Sequence, residues 1–358
     1  MNAPGARATH VIPSLDGFRA FAFLAVFLAH AGAPGIPGGF GVTVFFFLSG
    51  YLITTLLRLE VEHSGRINFK LFYLRRVLRI LPPFYLVLAL AIGLTLLHVL
   101  PGTLALRPVL SQAFHYSNYW AAYHGFDGTA AGTAVYWSLA VEEHFYALFP
   151  ALFALLIGLR MSGKSQRAVL LSLCALALLW RCVLVFHFHA RIERTFLTTD
   201  ARYDSLLFGC AMAVAGNPSL DGVAEARPSK GLVALLLGGV ALLLLSFLVR
   251  DDSFRESFRY TVQGIGLYPI FYTAIRFPGW GPFPLLSARP LRFLGKLSYS
   301  LYLVHESIIV WTIERWPTGG IVRVVAAFAL SLALAWLMWV TIEKPIARVR
   351  RRLDPNTI

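Results

Sequence analysis

The sequence predicts an all-α fold: a polytopic membrane helical bundle of about ten transmembrane helices with both termini cytoplasmic. Three observations predict it. Of the 358 residues, 57% are hydrophobic and only 14% are charged. The apolar residues fall into blocks of about 18 to 22, the length a helix needs to cross a hydrocarbon core of about 30 Å. The basic residues also sort by side. With the N-terminus inside, 22 of the 32 Lys and Arg lie on inner connections, nine lie outside, and Arg181 sits within a span. That bias is the positive-inside signature. It accounts for the net charge of +14, which in a soluble chain would suggest nucleic acid as a partner. The partners expected here are membrane lipids, with no nucleic acid.

The predicted spans are residues 17–32, 42–58, 81–100, 137–158, 168–188, 204–216, 231–249, 259–276, 293–313 and 322–342. The longest connection, about residues 101–136, is too short to bury a core of its own. Residues 1–358 therefore read as a single membrane-embedded domain, with a core over 12–345 and a short basic cytoplasmic tail over 346–358. A signal peptide over residues 1–33 is the competing reading of Arg7, the first apolar run and "AHAGA". It would discard Arg19 and His30 and give every later loop the wrong sign. Cys174, Cys182 and Cys210 sit in apolar segments without metal spacing and read as core residues. His187 and His189 lack further ligands, so no metal site is expected.

Ionisable groups at membrane depth are costly, so each needs a partner, a cavity or a task. In "LDGFRAFAFLAVFLAH", Arg19 and His30 lie eleven residues apart. They share one helix face at about 16 Å separation along the axis, with Arg19 at the inner headgroup level and His30 near the bilayer middle. A lipid anchor and a packing histidine are the plainer readings of the two. An uncharged turn, "GAPGIPGGFG", makes the first two spans a hairpin. "VFFFLSGYLIT" follows, where Ser49–Gly50 permits close helix contact or a local break; packing is preferred over a catalytic Ser49.

"FKLFYLRRVLRILPPFY" carries Arg75, Arg76 and Arg79. It fits an interfacial helix on anionic lipid, a phosphate clamp for a nucleotide-like donor, or both. "YWSLAVEEHFYALFP" carries Glu142, Glu143 and His144, and its adjacent carboxylates point about 100° apart, so one is expected to face a bundle interior. In "TTDARYDSLLFG", Arg202 and Asp204 are expected to seal a helix end as an ion pair. "FLGKLSYSLYLVHES" places His305 close to the depth of His30, and Glu343 in "TIEKPI" is expected to pair with Lys344.

Taken together, these motifs resemble the acyltransferase-3 family of membrane-bound O-acyltransferases. That family modifies exopolysaccharides, lipopolysaccharide O-antigens, Nod factors and peptidoglycan. "LDGFRAFAFLAVFLAH" resembles its Arg-x10-His signature. "FFFLSGYLIT", "RRVLRILPPFY", "WSLAVEEHFY", "TDARYDSLLFG" and "LGKLSYSLYLVH" follow in the family's order, from about Ile12 to Pro345. His144 stands where Gln is common and Tyr51 where Phe is common.

The resemblance implies transfer of an acyl group, usually acetyl, from cytoplasmic acyl-CoA to a carbohydrate or glycolipid hydroxyl. The donor is a substrate, with no tightly bound cofactor. By the same resemblance the catalytic candidates are His30, Glu142 and His305, and Arg19, Arg75, Arg76 and Arg79 are the donor-binding candidates. His30 is the expected base, oriented by Glu142, with His305 as alternative base or oxyanion donor and an acyl-histidine open. The expected location is the inner membrane of a bacterium. The sequence carries no hydrolase-like domain of the kind fused to some members, so transfer is expected to finish within or beside the membrane domain. A proton-coupled transporter or flippase for a lipid-linked saccharide is the alternative reading of the same intramembrane residues, and an assembly partner in a polysaccharide-export complex is a third. The aromatic stretch 115–129 suits either sugar stacking or interfacial anchoring.

Overall fold

A computed structural model of the chain describes residues 12–221 and 227–353. Arg7 and the last five residues of the tail lie outside this range. Two antiparallel helices open the fold, α1 (Pro13–His30) and α2 (Gly38–Ser64), and α3 (Phe69–Leu96) follows them. The long connection that comes next holds α4 (Leu106–Ala113) and α5 (Ser117–His124). Then come α6 (Tyr136–Gly158), α7 (Gly163–Cys182), α8 (Ile192–Leu197), α9 (Thr199–Val214), α10 (Lys230–Leu248) and α11 (Asp252–Ser257). The chain closes with α12 (Arg259–Arg276), α13 (Arg289–Arg315), α14 (Gly320–Met338) and α15 (Lys344–Leu353). No strand occurs among the described residues.

Each predicted span coincides with a helix. Among the described residues six stretches are long and apolar enough to cross a membrane: α2, α3, α6, α7 with the π-helical turn after it, α10, and α14 through to Arg350. The remaining four, α1, α9, α12 and α13, give up apolarity or length because they carry the buried polar groups of the bundle. The most apolar 18-residue stretch of α2 is 78% buried against 17% for that of α10. Thus α2 is central, and α10 and α14 are peripheral, presenting Leu235, Leu237, Leu248, Ile321 and Val322 outward as lipid-facing helices do.

The prediction for α3 is too short at its start. The basic segment is the first half of one continuous helix that runs through Pro82 and Pro83. Prolines cost a helix backbone bonds, here those that the Leu78 and Arg79 carbonyls would accept, and the next carbonyl, that of Ile80, accepts from Tyr299 Oη of α13 at 2.8 Å.

The Ser49–Gly50 pair makes a close contact without a break. A Cβ on Gly50 would stand 1.9 Å from the Leu206 carbonyl oxygen, and one on Gly209 would stand 2.0 Å from that of Phe47. Glycine at both positions therefore lets α2 and α9 touch backbone to backbone. Beside this seam lies a buried polar network. Arg181 donates to Asp204 at 2.7 Å, to Thr261 at 2.6 Å and to the carbonyls of Ala201 and Ser257. The expected Arg202–Asp204 pair does not form, because residues two apart on a helix point to opposite sides. Arg202 instead donates to Phe196 O and Thr43 Oγ1 and lies within 6 Å of four aromatic rings, the Tyr260 ring at 4.0 Å. Glu343 likewise turns away from Lys344. It accepts from Ser300 Oγ of α13, and the Lys344 ammonium sits 5.4 Å over the Trp339 ring.

Candidate active site

A cavity of about 180 Å³ opens between α1, α2, α3, α6 and α13. At one end it is lined by Arg19, Arg76 and Arg79 with Glu142 and Glu143, and at the other by Phe45, Ser138 and Tyr302. On α3 the three arginines fan across an arc of about 100° with Arg79 in the middle. Arg76 lies at one edge, 4.5 Å over the Tyr146 ring. Arg75 lies at the other edge, donating to Glu60 of α2 at 2.9 Å, and does not line the cavity. Arg19 is steered by Asp16, one turn earlier, at 2.9 Å. The charged end thus brings three guanidinium groups and two carboxylates to one wall.

Both glutamates reach this cavity, where one had been expected, because the cavity wraps around α6 far enough to meet side chains about 100° apart. Glu142 accepts from Ser49 Oγ at 2.7 Å. It does not orient His30. Ser138, one turn before it, is already level with Tyr302 through a 2.7 Å contact between their hydroxyls. Tyr302 in turn lies one turn short of His305, so Glu142 is about 10 Å deeper than the histidines by helical rise.

The partner of His30 is His305. Their rings are parallel to within 3° with centroids 5.2 Å apart, and they meet edge to edge, His30 Nδ1 lying 3.0 Å from His305 Nε2. His305 Nδ1 lies 2.9 Å from the Tyr302 carbonyl oxygen. A carbonyl can only accept, so His305 Nδ1 carries the proton and, in the neutral ring, Nε2 is the acceptor. His30 Nδ1 then donates, which leaves the lone pair on His30 Nε2. The hydrogen positions follow from this chain of partners. His305 is fully buried, with the Phe23 ring edge-on at 5.6 Å, whereas His30, the last residue of α1, is exposed. His30 therefore stands at a helix end, not midway along a span.

Glu306 is the carboxylate near this pair. It accepts from Val135 N at 3.2 Å and is close enough to His30 for direct electrostatic interaction. Sequence reasoning passed over it, although it follows His305 directly in "LVHES". Between cavity and histidines stand Tyr302 and Phe45, edge to face at 6.0 Å. His144 is turned away, 2.7 Å from Thr199 Oγ1. The arrangement provides a cationic end, an apolar and hydroxyl-lined middle, and an imidazole with a free lone pair at the far end.

Residues 12–340 match the acyltransferase-3 family profile, described as an acyltransferase domain. The chain belongs to this family. It is 31% identical over 353 residues to the O-acetyltransferase OatA of Staphylococcus aureus (strain NCTC 8325 / PS 47), covering 94% of this chain and 57% of that protein. It is 29% identical over 351 residues to the peptidoglycan O-acetyltransferase OatA of Listeria monocytogenes serovar 1/2a, covering 94% and 56%. It is 33% identical over 356 residues to a Bacillus subtilis (strain 168) protein provisionally named as a peptidoglycan O-acetyltransferase, covering 94% and 55%. The chain thus spans little more than half the length of these relatives. No solved structure gives a significant match.

Proposed function

We propose that this acyltransferase-3 protein is a multi-pass O-acetyltransferase of the bacterial inner membrane. It takes an acetyl group from cytoplasmic acetyl-CoA and delivers it to a hydroxyl of a cell-wall carbohydrate. In this reading all ten long helices cross the membrane, both termini are cytoplasmic, and the Arg19 end of the bundle faces the cytoplasm. The named activities of the relatives support the acetyl group and the acceptor class.

The observation that carries the reading is the His30–His305 pair, with its lone pair fixed on His30 Nε2, at the opposite end of α1 from Arg19. By helical rise the two ends are about 16 Å apart. That separation suits a donor with phosphates at one end and a thioester at the other. Arg19, Arg76 and Arg79 hold the phosphates, and the pantetheine arm passes Ser138 and Tyr302. His30 Nε2 removes the acceptor hydroxyl proton as its oxygen attacks the thioester carbonyl. The C–O bond forms, the C–S bond breaks, and the sulfur leaves as CoA thiol with the proton returned by His30. His305 keeps His30 in the productive tautomer, and Glu306 offsets the charge His30 gains.

Purified protein in lipid nanodiscs, given radiolabelled acetyl-CoA and a peptidoglycan-derived oligosaccharide, should release CoA thiol and label the sugar. A transporter or flippase would leave acetyl-CoA intact, and that result would sink the reading.

A further inference from the structure

Acyl transfer by His30 leaves one charge unanswered. As the acceptor oxygen attacks the thioester, negative charge gathers on the carbonyl oxygen, and an aimed hydrogen-bond donor is needed to hold it. His305, one expected source, cannot supply it. Its Nδ1 proton is committed to the Tyr302 carbonyl, and its Nε2 accepts from His30. The His30 Nδ1 proton is committed to that same contact, and His30 Nε2 carries the lone pair that takes the acceptor proton.

The donors that line the cavity divide by depth. The three arginines stand at its charged end, and Ser49 donates to Glu142, about 10 Å deeper than the histidines. Tyr299 donates to the Ile80 carbonyl, nearly a turn deeper on α13 than Tyr302. At the outer end the lining offers two hydroxyls, Ser138 and Tyr302. Ser138 Oγ donates to the Val135 carbonyl at 3.0 Å. That leaves Ser138 Oγ, at 2.7 Å, to accept the Tyr302 proton, with the Val135 carbonyl 3.3 Å from the same phenol oxygen. Both of these acceptors are neutral. An oxyanion accepts a bond about twice as strong and draws the phenol proton to itself.

Tyr302 is also built into the histidine site. It is 5% exposed, and its ring meets Phe45 edge to face at 6.0 Å and the His305 ring at 5.5 Å, so the phenol is held in place. Its own carbonyl fixes the His305 tautomer. Val135, whose carbonyl faces the two hydroxyls, gives its N–H to Glu306 at 3.2 Å, the carboxylate close to His30. Phenol, imidazole and carboxylate therefore converge where the donor passage ends.

We propose that Tyr302 Oη is the oxyanion donor of the acyl transfer, a second catalytic residue beside His30. This rests on the proposed use of an acyl-CoA thioester. When the acetyl end of the arm reaches His30, its carbonyl oxygen replaces Ser138 Oγ as partner of the Tyr302 proton. The acceptor oxygen bonds to the carbonyl carbon, its proton passes to His30 Nε2, and the Tyr302 O–H holds the charge displaced onto the carbonyl oxygen. The carbonyl then re-forms, the C–S bond breaks, and the sulfur leaves with the proton from His30. The phenol keeps its own proton throughout and turns back to Ser138, a positioning residue that aims it before the donor arrives.

The test changes one atom on each side of this contact. Acetyl-CoA is compared, in nanodiscs with a peptidoglycan-derived oligosaccharide, with its dithioester analogue, in which sulfur, a weak acceptor, replaces the carbonyl oxygen. Tyr302→Phe should lower kcat for acetyl-CoA by about 100- to 1,000-fold, the usual effect of removing one oxyanion donor, with KM moved by less than about threefold. The ratio of kcat for the oxygen donor to kcat for the sulfur donor should fall by about 10- to 100-fold from wild type to Tyr302→Phe, because either change removes the same hydrogen bond. Being a ratio, it is independent of how much of the variant is folded. Ser138→Ala should lower kcat by about fivefold or less and keep the wild-type ratio. A Tyr302→Phe kcat within about threefold of wild type would overturn the assignment. So would a large loss with the wild-type ratio unchanged, which marks a packing role. Failure of the wild type to transfer acetyl from acetyl-CoA overturns the donor reading itself, whereas transfer with an unchanged ratio overturns only the role of Tyr302.

Discussion

Replacing His305 with Phe should disable His30 without touching it. The substitution keeps a ring in a fully buried position beside Phe23 and removes the acceptor that His30 Nδ1 meets at 3.0 Å. The lower bound on the effect is the hydrogen bond alone, about 1 kcal/mol net, or about fivefold in rate. The upper bound is the whole contribution of a general base, about 10,000-fold. Freed of its partner, His30 samples both tautomers and several rotamers at an exposed helix end, so a fall in kcat of about 100-fold is expected. The acetyl-CoA KM should move by less than about threefold, since Arg19, at the other end of α1, lies about 16 Å away by helical rise. His305→Gln, which restores an acceptor oxygen, should recover about tenfold of the loss. Radiolabelled acetyl transfer in nanodiscs gives these values. Loss of the donor to Tyr302 O costs about 1 to 3 kcal/mol of stability, so yield of folded protein must be matched by size-exclusion chromatography. The decisive control is the double variant. In a His30→Ala background, His305→Phe should add less than about threefold, because the two residues act as one unit. Losses that multiply would refute the idea that His305 works through His30.

Three further outcomes follow from the contacts. Arg79→Ala should raise the acetyl-CoA KM by about 10- to 100-fold, whereas Arg75→Ala, whose side chain is turned to Glu60, should change it by less than about threefold. Asp204→Asn leaves Arg181 without its buried counter-charge and should cost about 3 to 5 kcal/mol, read as a lower melting temperature in detergent; Arg181→Met with Asp204→Leu should restore much of it. In the connection after α9, the two hydrogen bonds from Arg58 hold the Asp221 carboxyl below the usual carboxylate range. A depressed value means stability that is present above the unfolded pKa and lost as pH falls through the folded one. Asp221→Asn should therefore lower the melting temperature slightly at neutral pH and make no difference in strong acid; the pair is partly exposed, so the effect stays within about 1 kcal/mol.

The long helices were legible because each contains an apolar run, and in the six most apolar ones that run fixes both the helical state and the approximate length. The start of α3 was not, since Arg75, Arg76 and Arg79 with two prolines look like an interfacial segment until the whole helix is seen. The histidines could be placed on their helices, but helical rise fixes only height. That His30 meets His305, and that Glu142 meets Ser49 about 10 Å deeper, depends on how α1, α6 and α13 pack around one another. The Arg202–Asp204 expectation failed on a rule the sequence already contained, because neighbours two apart on a helix do not face each other. The partner of Asp204 is Arg181, more than twenty residues away on α7, which no local spacing reveals. Glu306 was visible beside His305 and overlooked because the more familiar acid after "WSL" had filled its role.

In the proposed mechanism His30 is the group through which acetyl transfer runs. Its most direct test is kcat for acetyl-CoA-dependent labelling of the glycan by His30→Ala, at matched yield and with acetyl-CoA binding measured separately. A fall of at least about 100-fold with donor binding preserved is the predicted result. Near-normal turnover in that variant would contradict it.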